Sequence, residues 1–206
     1  MIGDNVFDLV KRTVPEFVKR IAGLLVGHTE NSWERVVMNR ETLEWVKALE
    51  TEKMTALEIS GKIWDGRVPF KSYKSIWYPE YDVCEKPLAE SYDIIIAEQV
   101  FEHLLYPSRA ARHVFEMLRG GGYFLLTTPF LYRIHAYPND CSRWTPQGMA
   151  YFLEEAGFPL DKVRVGAWGN RACVTASFRG RCYCSRIHTL ENEPAFPVVV
   201  WALAQK

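Results

Sequence analysis

Asp93-Ile94-Ile95-Ile96-Ala97-Glu98-Gln99 and, 19 residues on, Leu118-Arg119-Gly120-Gly121-Gly122-Tyr123-Phe124-Leu125-Leu126-Thr127-Thr128-Pro129-Phe130 decide the fold. Asp93–Ala97 is a short apolar run rich in β-branched residues, the pattern of a strand covered on both faces. From Glu98 to Leu118 the period changes. Val100, Phe101, Leu104, Leu105, Ala111, Val114, Phe115 and Leu118 recur at helical spacing, and Pro107 fits only a break or a first turn. The three glycines close that segment, and Tyr123–Thr128 reads as a second buried strand. A strand, a helix and a strand of this kind imply a parallel sheet with a right-handed crossover. Ligands of such sheets sit at the carboxyl ends of the strands. Here those ends carry Ala97-Glu98-Gln99 and Thr128-Pro129-Phe130, so functional residues are sought there first.

Working outward toward the N-terminus, Thr55-Ala56-Leu57-Glu58-Ile59-Ser60-Gly61 reads as a short strand ending in a small-residue turn. Residues 62–81 carry turn signals and one strand candidate, Tyr73–Tyr78. The distance from Glu58 to Asp93 is too short for two complete crossovers of about 30 residues each. Helices are therefore missing or shrunk, and this edge of the sheet should be thin. Further upstream, Val6, Phe7, Val10, Val14, Phe17, Val18, Ile21 and Leu25 form one stripe over residues 4–26. That stripe suits a packing helix, a lid or a dimer contact. Asn31 or Ser32 caps a second helix with Trp33, Val36, Val37, Leu43, Val46 and Leu49 inward. The division expected is a helical extension over 1–52 and the sheet domain over 53–206.

Toward the C-terminus, Leu131–Trp144 is irregular, polar and aromatic at once, a typical binding loop beyond a buried strand. Thr145-Pro146 reads as cap and first residue of a helix that runs to Ala156 and stops at Gly157. Val163–Val165 is a strand, Asn170–Phe178 a helix, and Pro197–Leu203 a final strand.

A length of 206 residues suits one sheet domain with a substantial core. The formal net charge is zero, so no global field gathers nucleic acid or an anionic membrane. No apolar run approaches a membrane span, and Met1-Ile2-Gly3-Asp4 does not begin a secretory leader. The five cysteines are odd in number and read as reduced, which points to the cytoplasm. Cys182-Tyr183-Cys184 with His188 lacks a second matching pair, so no metal site is assigned.

The order of elements resembles the class I, Rossmann-like S-adenosylmethionine-dependent methyltransferases, in the small bacterial branch acting on small molecules or sugars. Leu57-Glu58-Ile59-Ser60-Gly61 stands at the family's acidic, glycine-rich first motif, here with a single glycine followed by Lys62. Tyr92 to Leu104 resembles the fourth strand and its Glu-His, and Leu118–Pro129 the fifth strand. His135, Pro138, Asp140, Arg143, Trp144 and Thr145, leading to Leu153-Glu154-Glu155-Ala156-Gly157-Phe158, match a pattern of that branch. The resemblance covers residues 55–205. It implies a seven-stranded, mostly parallel sheet with helices on both faces and an antiparallel last strand. It also implies S-adenosylmethionine as cofactor. Ser60 and Gly61 would approach its methionine part, and Glu58 would orient that loop or the ammonium group. Asp82 and Val83 would face adenine, with Tyr78 and Glu80 near the ribose, and Ala97, Glu98 and Gln99 beside the methyl.

Methyl transfer needs a nucleophile held at near-attack distance and a group to take its proton. A hydroxyl acceptor wants a base titrating near neutrality, and His135, in the loop after the fifth strand, is the first candidate. His103 is the second, or else a packed or capping residue. Asp140 orients His135, acts as base, or makes an Asx turn with Asn139. Arg143 clamps an anionic group or pairs with Glu154 or Glu155. Tyr132, Tyr137 and Trp144 wall a pocket or fill a core under the loop. The expected partner is a small-molecule substrate, with a homodimer as one further expectation. A second reading is a silent methyltransferase-like subunit that binds and activates a partner methyltransferase, with residues 4–26 as its docking face.

Overall fold

The computed structural model describes residues 32–180, 182–185 and 187–206. The helix expected over 4–26 lies outside the described residues, as does the cap at Asn31. Among the described residues the chain runs α1 (Val36–Lys47), β1 (Thr55–Ile59), β2 (Ser72–Ile76), β3 (Tyr92–Glu98), α2 (Pro107–Met117), β4 (Leu118–Pro129), α3 (Pro146–Glu155), β5 (Val163–Trp168), α4 (Arg171–Ser177) and β6 (Val199–Gln205). The strands form one sheet in the order β2-β1-β3-β4-β6-β5. The first four are parallel, and β6 runs antiparallel to both β4 and β5.

The sheet has six strands where seven were expected. Residues 60–91 hold only β2, and none of them is helical. That segment is too short for a third parallel strand with its crossovers, so the sheet ends on the partly exposed β2. The helical period over 98–118 is also divided. Phe101–His103 forms one 3-10 turn, and α2 starts afresh with Pro107 in its first turn, where a missing N–H costs nothing.

Strand alternation separates two cores. Leu57, Ile59, Ile95, Ala97, Phe124 and Leu126 point to the face covered by α2 and α3. Ala56, Ile94, Ile96, Leu125, Trp201 and Leu203 point to the face covered by α1 and α4. Packing explains Gly166. It pairs with Trp201 across β5 and β6, and a Cβ there would lie 2.4 Å from the indole nitrogen. Thr145 caps α3 through Gly148 N, as its sequence position predicts.

Asp93 ties the amino ends of three strands. Its Oδ2 accepts from Thr55 N at 2.7 Å, Thr55 Oγ1 at 2.8 Å and Arg119 Nη1 at 2.6 Å. Burial pushes this carboxyl up, but the Thr55 donors and the Arg119 guanidinium outweigh it, and the group titrates below its ordinary value. A carboxyl held low stabilises the fold above its unfolded pKa, and that contribution fades as pH falls through the folded one. Asp93→Asn is therefore expected to lower stability at pH 7 by roughly 1–3 kcal/mol in urea unfolding. The deficit should shrink below about pH 4, and a deficit unchanged by acid would contradict this account.

Candidate functional site

The carboxyl ends of the strands part at one place. Pairing of β1 with β3 runs from Ala56–Ile94 to Glu58–Ile96 and stops. Beyond it, β1 turns toward β2, with Ser60 N donating to Ile76 O at 2.7 Å. β3 turns the other way toward β4, where Gln99 N donates to Thr127 O at 2.9 Å and Gln99 Nε2 to Thr127 Oγ1 at 3.1 Å. Ser60 and Gln99 both take left-handed backbone, φ +54° and +58°, although neither is glycine. Strain of this kind at a topological switch point is a mark of a ligand crevice.

Glu58 closes the floor of that crevice. It is fully buried, and its carboxylate accepts from Ile63 N at 2.9 Å, Trp64 N at 2.9 Å and Tyr73 Oη at 2.6 Å. Through these bonds the carboxylate holds the loop after β1. Gly61 is required because that carboxylate lies over it; a Cβ there would sit 2.2 Å from Glu58 Oε1. Lys62 points outward and pairs with Asp65 at 3.3 Å. Glu98 receives Trp64 Nε1 at 3.1 Å and faces Arg35 at 3.7 Å and Arg67 at 3.9 Å. Burial raises its carboxyl's pKa, with the two arginines and the indole opposing.

The remaining cofactor candidates divide. Tyr78 and Glu80 are exposed just beyond β2, next to the half-exposed Trp77. Asp82 Oδ1 instead accepts from Cys84 N at 2.8 Å. The Val83 and Ala97 side chains are buried in the α2–α3 core rather than facing a crevice. S-adenosylmethionine fits this arrangement. Aromatic faces and an acidic acceptor stand at the end of β2, as an adenosine needs, and the parted, strained ends of β1 and β3 leave backbone beside the crevice.

A cleft of about 560 Å³ opens at the ends of β3 and β4. Arg35, Gln99, Glu102, His103 and residues 133–137 line it. The rings of His103 and His135 meet edge to face at 5.1 Å, and Tyr132 lies 5.3 Å from His135. His103 Nδ1 lies 2.6 Å from the Asn139 carbonyl oxygen, to which it donates. Asp140 Oδ2 accepts from His135 N at 2.8 Å and stands 3.2 Å from His135 Nδ1. Arg143 grips both oxygens of Asp140, Nη2 to Oδ2 at 2.7 Å, so it pairs with neither Glu154 nor Glu155. Burial pushes the Asp140 carboxyl up, but Arg143 and the His135 amide hold it below its usual value. Burial also lowers His135, against the pull of Asp140, so its imidazole is neutral at pH 7. Tyr137 is exposed at the cleft, whereas Trp144 packs on Phe152 at 4.7 Å in the core.

Arg35 and Glu102 line the cleft although neither is nominated by the sequence. Arg35 read only as part of a packing segment. Glu102 was visible as half of the Glu-His pair, but only its neighbour was nominated. It is completely buried, neither oxygen has a hydrogen-bond partner, and burial pushes its carboxyl up to about 7. Glu102, His103 and His135 each offer a ligand atom, all within 4.8 Å of one another. Cys182 Sγ and His188 Nε2 lie 3.9 Å apart, with Trp33 stacked on His188.

A family model described as a methyltransferase domain matches residues 43–162. No curated protein matches the chain. Among solved structures, a methyltransferase from Thermotoga maritima, described as S-adenosylmethionine-dependent and a possible histamine N-methyltransferase, superposes with TM-score 0.54 at 16% identity, covering 84% of this chain and 98% of its own. An S-adenosylmethionine-dependent methyltransferase from Archaeoglobus fulgidus gives 0.54 at 10% identity, covering 82% and 93%. A methyltransferase-like protein from Bacillus halodurans gives 0.51 at 14%, covering 81% and 97%. At these identities the likeness speaks for the fold alone.

The packing of Glu58 on Gly61 is open to a double-mutant cycle. Gly61→Ala is expected to cost about 2 kcal/mol or more in urea unfolding. In a Glu58→Ala background the added cost should fall by more than about 1 kcal/mol, because the clashing oxygen is gone. Additive costs would mean that something else excludes a side chain at this position.

Proposed function

The chain belongs to the methyltransferase domain family, and from that premise we propose that it moves a methyl group to a hydroxyl of a small-molecule acceptor bound in the cleft above β3 and β4. The cofactor, S-adenosylmethionine, supplies an electrophilic methyl on a sulfonium sulfur, open to in-line displacement. The observation that carries the reading is His135, set beside His103 and facing a cleft that adjoins the parted ends of β1 and β3.

In this reading His135 takes the acceptor's proton. Asp140 positions it through the His135 amide, and Arg143 keeps Asp140 ionised and in place. An Asp140 held as a low-pKa anion is a poor base, so positioning is the role it suits. His103, fixed by Asn139 O, walls the cleft with Tyr137. Ser60, Gly61 and Gln99 present backbone to the methionine part, and Tyr78 and Glu80 meet the nucleoside. Of the helical extension expected from the sequence, the described part, α1, packs on β5 and β6 and covers that face of the sheet. Five free cysteines suit a reducing cytoplasm, and the zero net charge suits a small acceptor better than a nucleic acid. No helix among the described residues is long and apolar enough to cross a membrane.

One observation favours the second reading, a silent subunit serving a partner methyltransferase. The acidic residue of the first motif is wholly occupied by its own chain. Calorimetric titration with S-adenosylhomocysteine separates the two. Micromolar binding by the isolated chain is expected, and absence of binding at millimolar ligand would sink the enzyme reading and leave the silent one. In a screen of hydroxyl acceptors, His135→Ala should then lose about 100-fold or more in kcat with its affinity for S-adenosylhomocysteine kept. Full turnover by that variant would remove His135 as the base.

A further inference from the structure

We propose that Glu102, His103 and His135 form a site for one divalent first-row transition-metal cation, of the zinc, manganese or cobalt class, opening on the cleft. Three observations converge on it. One ligand atom from each residue lies within 4.8 Å of the others, and His103 Nε2 is already 3.6 Å from Glu102 Oε1. Ligands about 2.1 Å from a shared cation sit about 3–3.5 Å apart, so side-chain shifts of order 1 Å complete the set. Second, Glu102 is fully buried and both its oxygens lack a hydrogen-bond partner. A buried carboxylate in that condition is costly to keep, and a bound cation supplies the missing partner. Third, each imidazole has an oxygen beside its Nδ1, where metal-ligating histidines find their outer partner. His103 Nδ1 faces the Asn139 carbonyl at 2.6 Å. His135 Nδ1 stands 3.2 Å from Asp140 Oδ2, short of hydrogen-bond alignment, and Asp140 is itself fixed by Arg143.

Two imidazoles and one carboxylate select borderline transition cations over magnesium or calcium and leave coordination positions open. The open side faces the cleft, where an acceptor's hydroxyl oxygen would bind. The cation lowers the pKa of that hydroxyl. Its O–H bond breaks with the proton passing to cleft water, the oxygen bonds to the methyl carbon, and the carbon–sulfur bond breaks with its electron pair staying on sulfur. With the ion bound, His135 serves as a ligand in place of its role as base, so the two are alternatives. The acidified hydroxyl then needs no imidazole base, and in the metal-free chain His135 takes the proton. This role of the ion rests on the methyl-transfer reading, whereas its binding does not.

The test uses the full chain stripped with a chelator. Titration with Co²⁺, followed by visible d–d absorption, and calorimetry with Zn²⁺ should show one equivalent bound at micromolar affinity. Glu102→Gln, which keeps the side chain's shape, and His135→Ala should each weaken binding by about 100-fold or more. Circular dichroism checks that both variants stay folded. Cys182→Ser should change nothing. Absence of binding, binding indifferent to Glu102→Gln and His135→Ala, or binding lost in Cys182→Ser would overturn the site. S-adenosylhomocysteine is titrated into the same samples. Nucleoside binding without metal binding ends this proposal and leaves methyl transfer standing. Metal binding without nucleoside binding keeps the site and sinks the methyl-transfer reading.

Discussion

The Glu58 carboxylate is the contact on which the carboxyl end of the sheet depends. A parallel crossover from β1 to β2 usually packs a helix against the sheet. Here residues 60–71 make the crossover without one, and their backbone would otherwise lack partners. Glu58 supplies the acceptor for Ile63 N, Trp64 N and the Tyr73 hydroxyl, and so links β1, the loop and β2. The fully buried Trp64 takes the place of helix side chains on the α1 face. Its indole N–H in turn reaches Glu98 at the end of β3. One carboxylate thereby sets the crevice floor, the conformation at Ser60 and the need for glycine at position 61.

The central unit was legible because its signals are local and repeated. A buried strand, a helical period and a second buried strand leave little choice over Asp93–Phe130, and Thr145-Pro146 fixes the start of α3 by cap chemistry alone. The thin edge was legible from chain length. The full strand count was not, because resemblance implies an average architecture and only the short 60–91 segment says which strand is gone. The second break, between Phe101–His103 and α2, shows how a helical period survives an interruption: Phe101, Ala111 and Val114 still face one core although two elements present them.

Site residues were harder, for a physical reason. Which oxygen faces which nitrogen depends on partners far apart in sequence. Arg143 could have paired with Glu154 or Glu155 by sequence alone, yet it turns to Asp140 within its own loop. Trp144, beside it, goes to the core on Phe152. Asp82 closes on the Cys84 amide. Arg35 reaches the cleft from an element whose apolar spacing announces only packing.

The contrast between Glu98 and Glu102 carries the last step. Both follow from one turn of chain at the end of β3, and both are buried. Glu98 is answered by an indole and two arginines, which oppose its burial without cancelling it. Asp140 is answered by Arg143 and a backbone amide. Burial raises the Glu102 carboxyl against the pull of its own amide, Arg143 and Arg35, yet neither of its oxygens has a hydrogen-bond partner. Its carbonyl meanwhile anchors the Cys141 and Ser142 amides and so holds the His135 loop in place. A fold that gives the neighbouring carboxylates hydrogen bonds and leaves Glu102 without one, between two imidazoles at the mouth of a cleft, has placed an under-satisfied acid where a ligand can meet it.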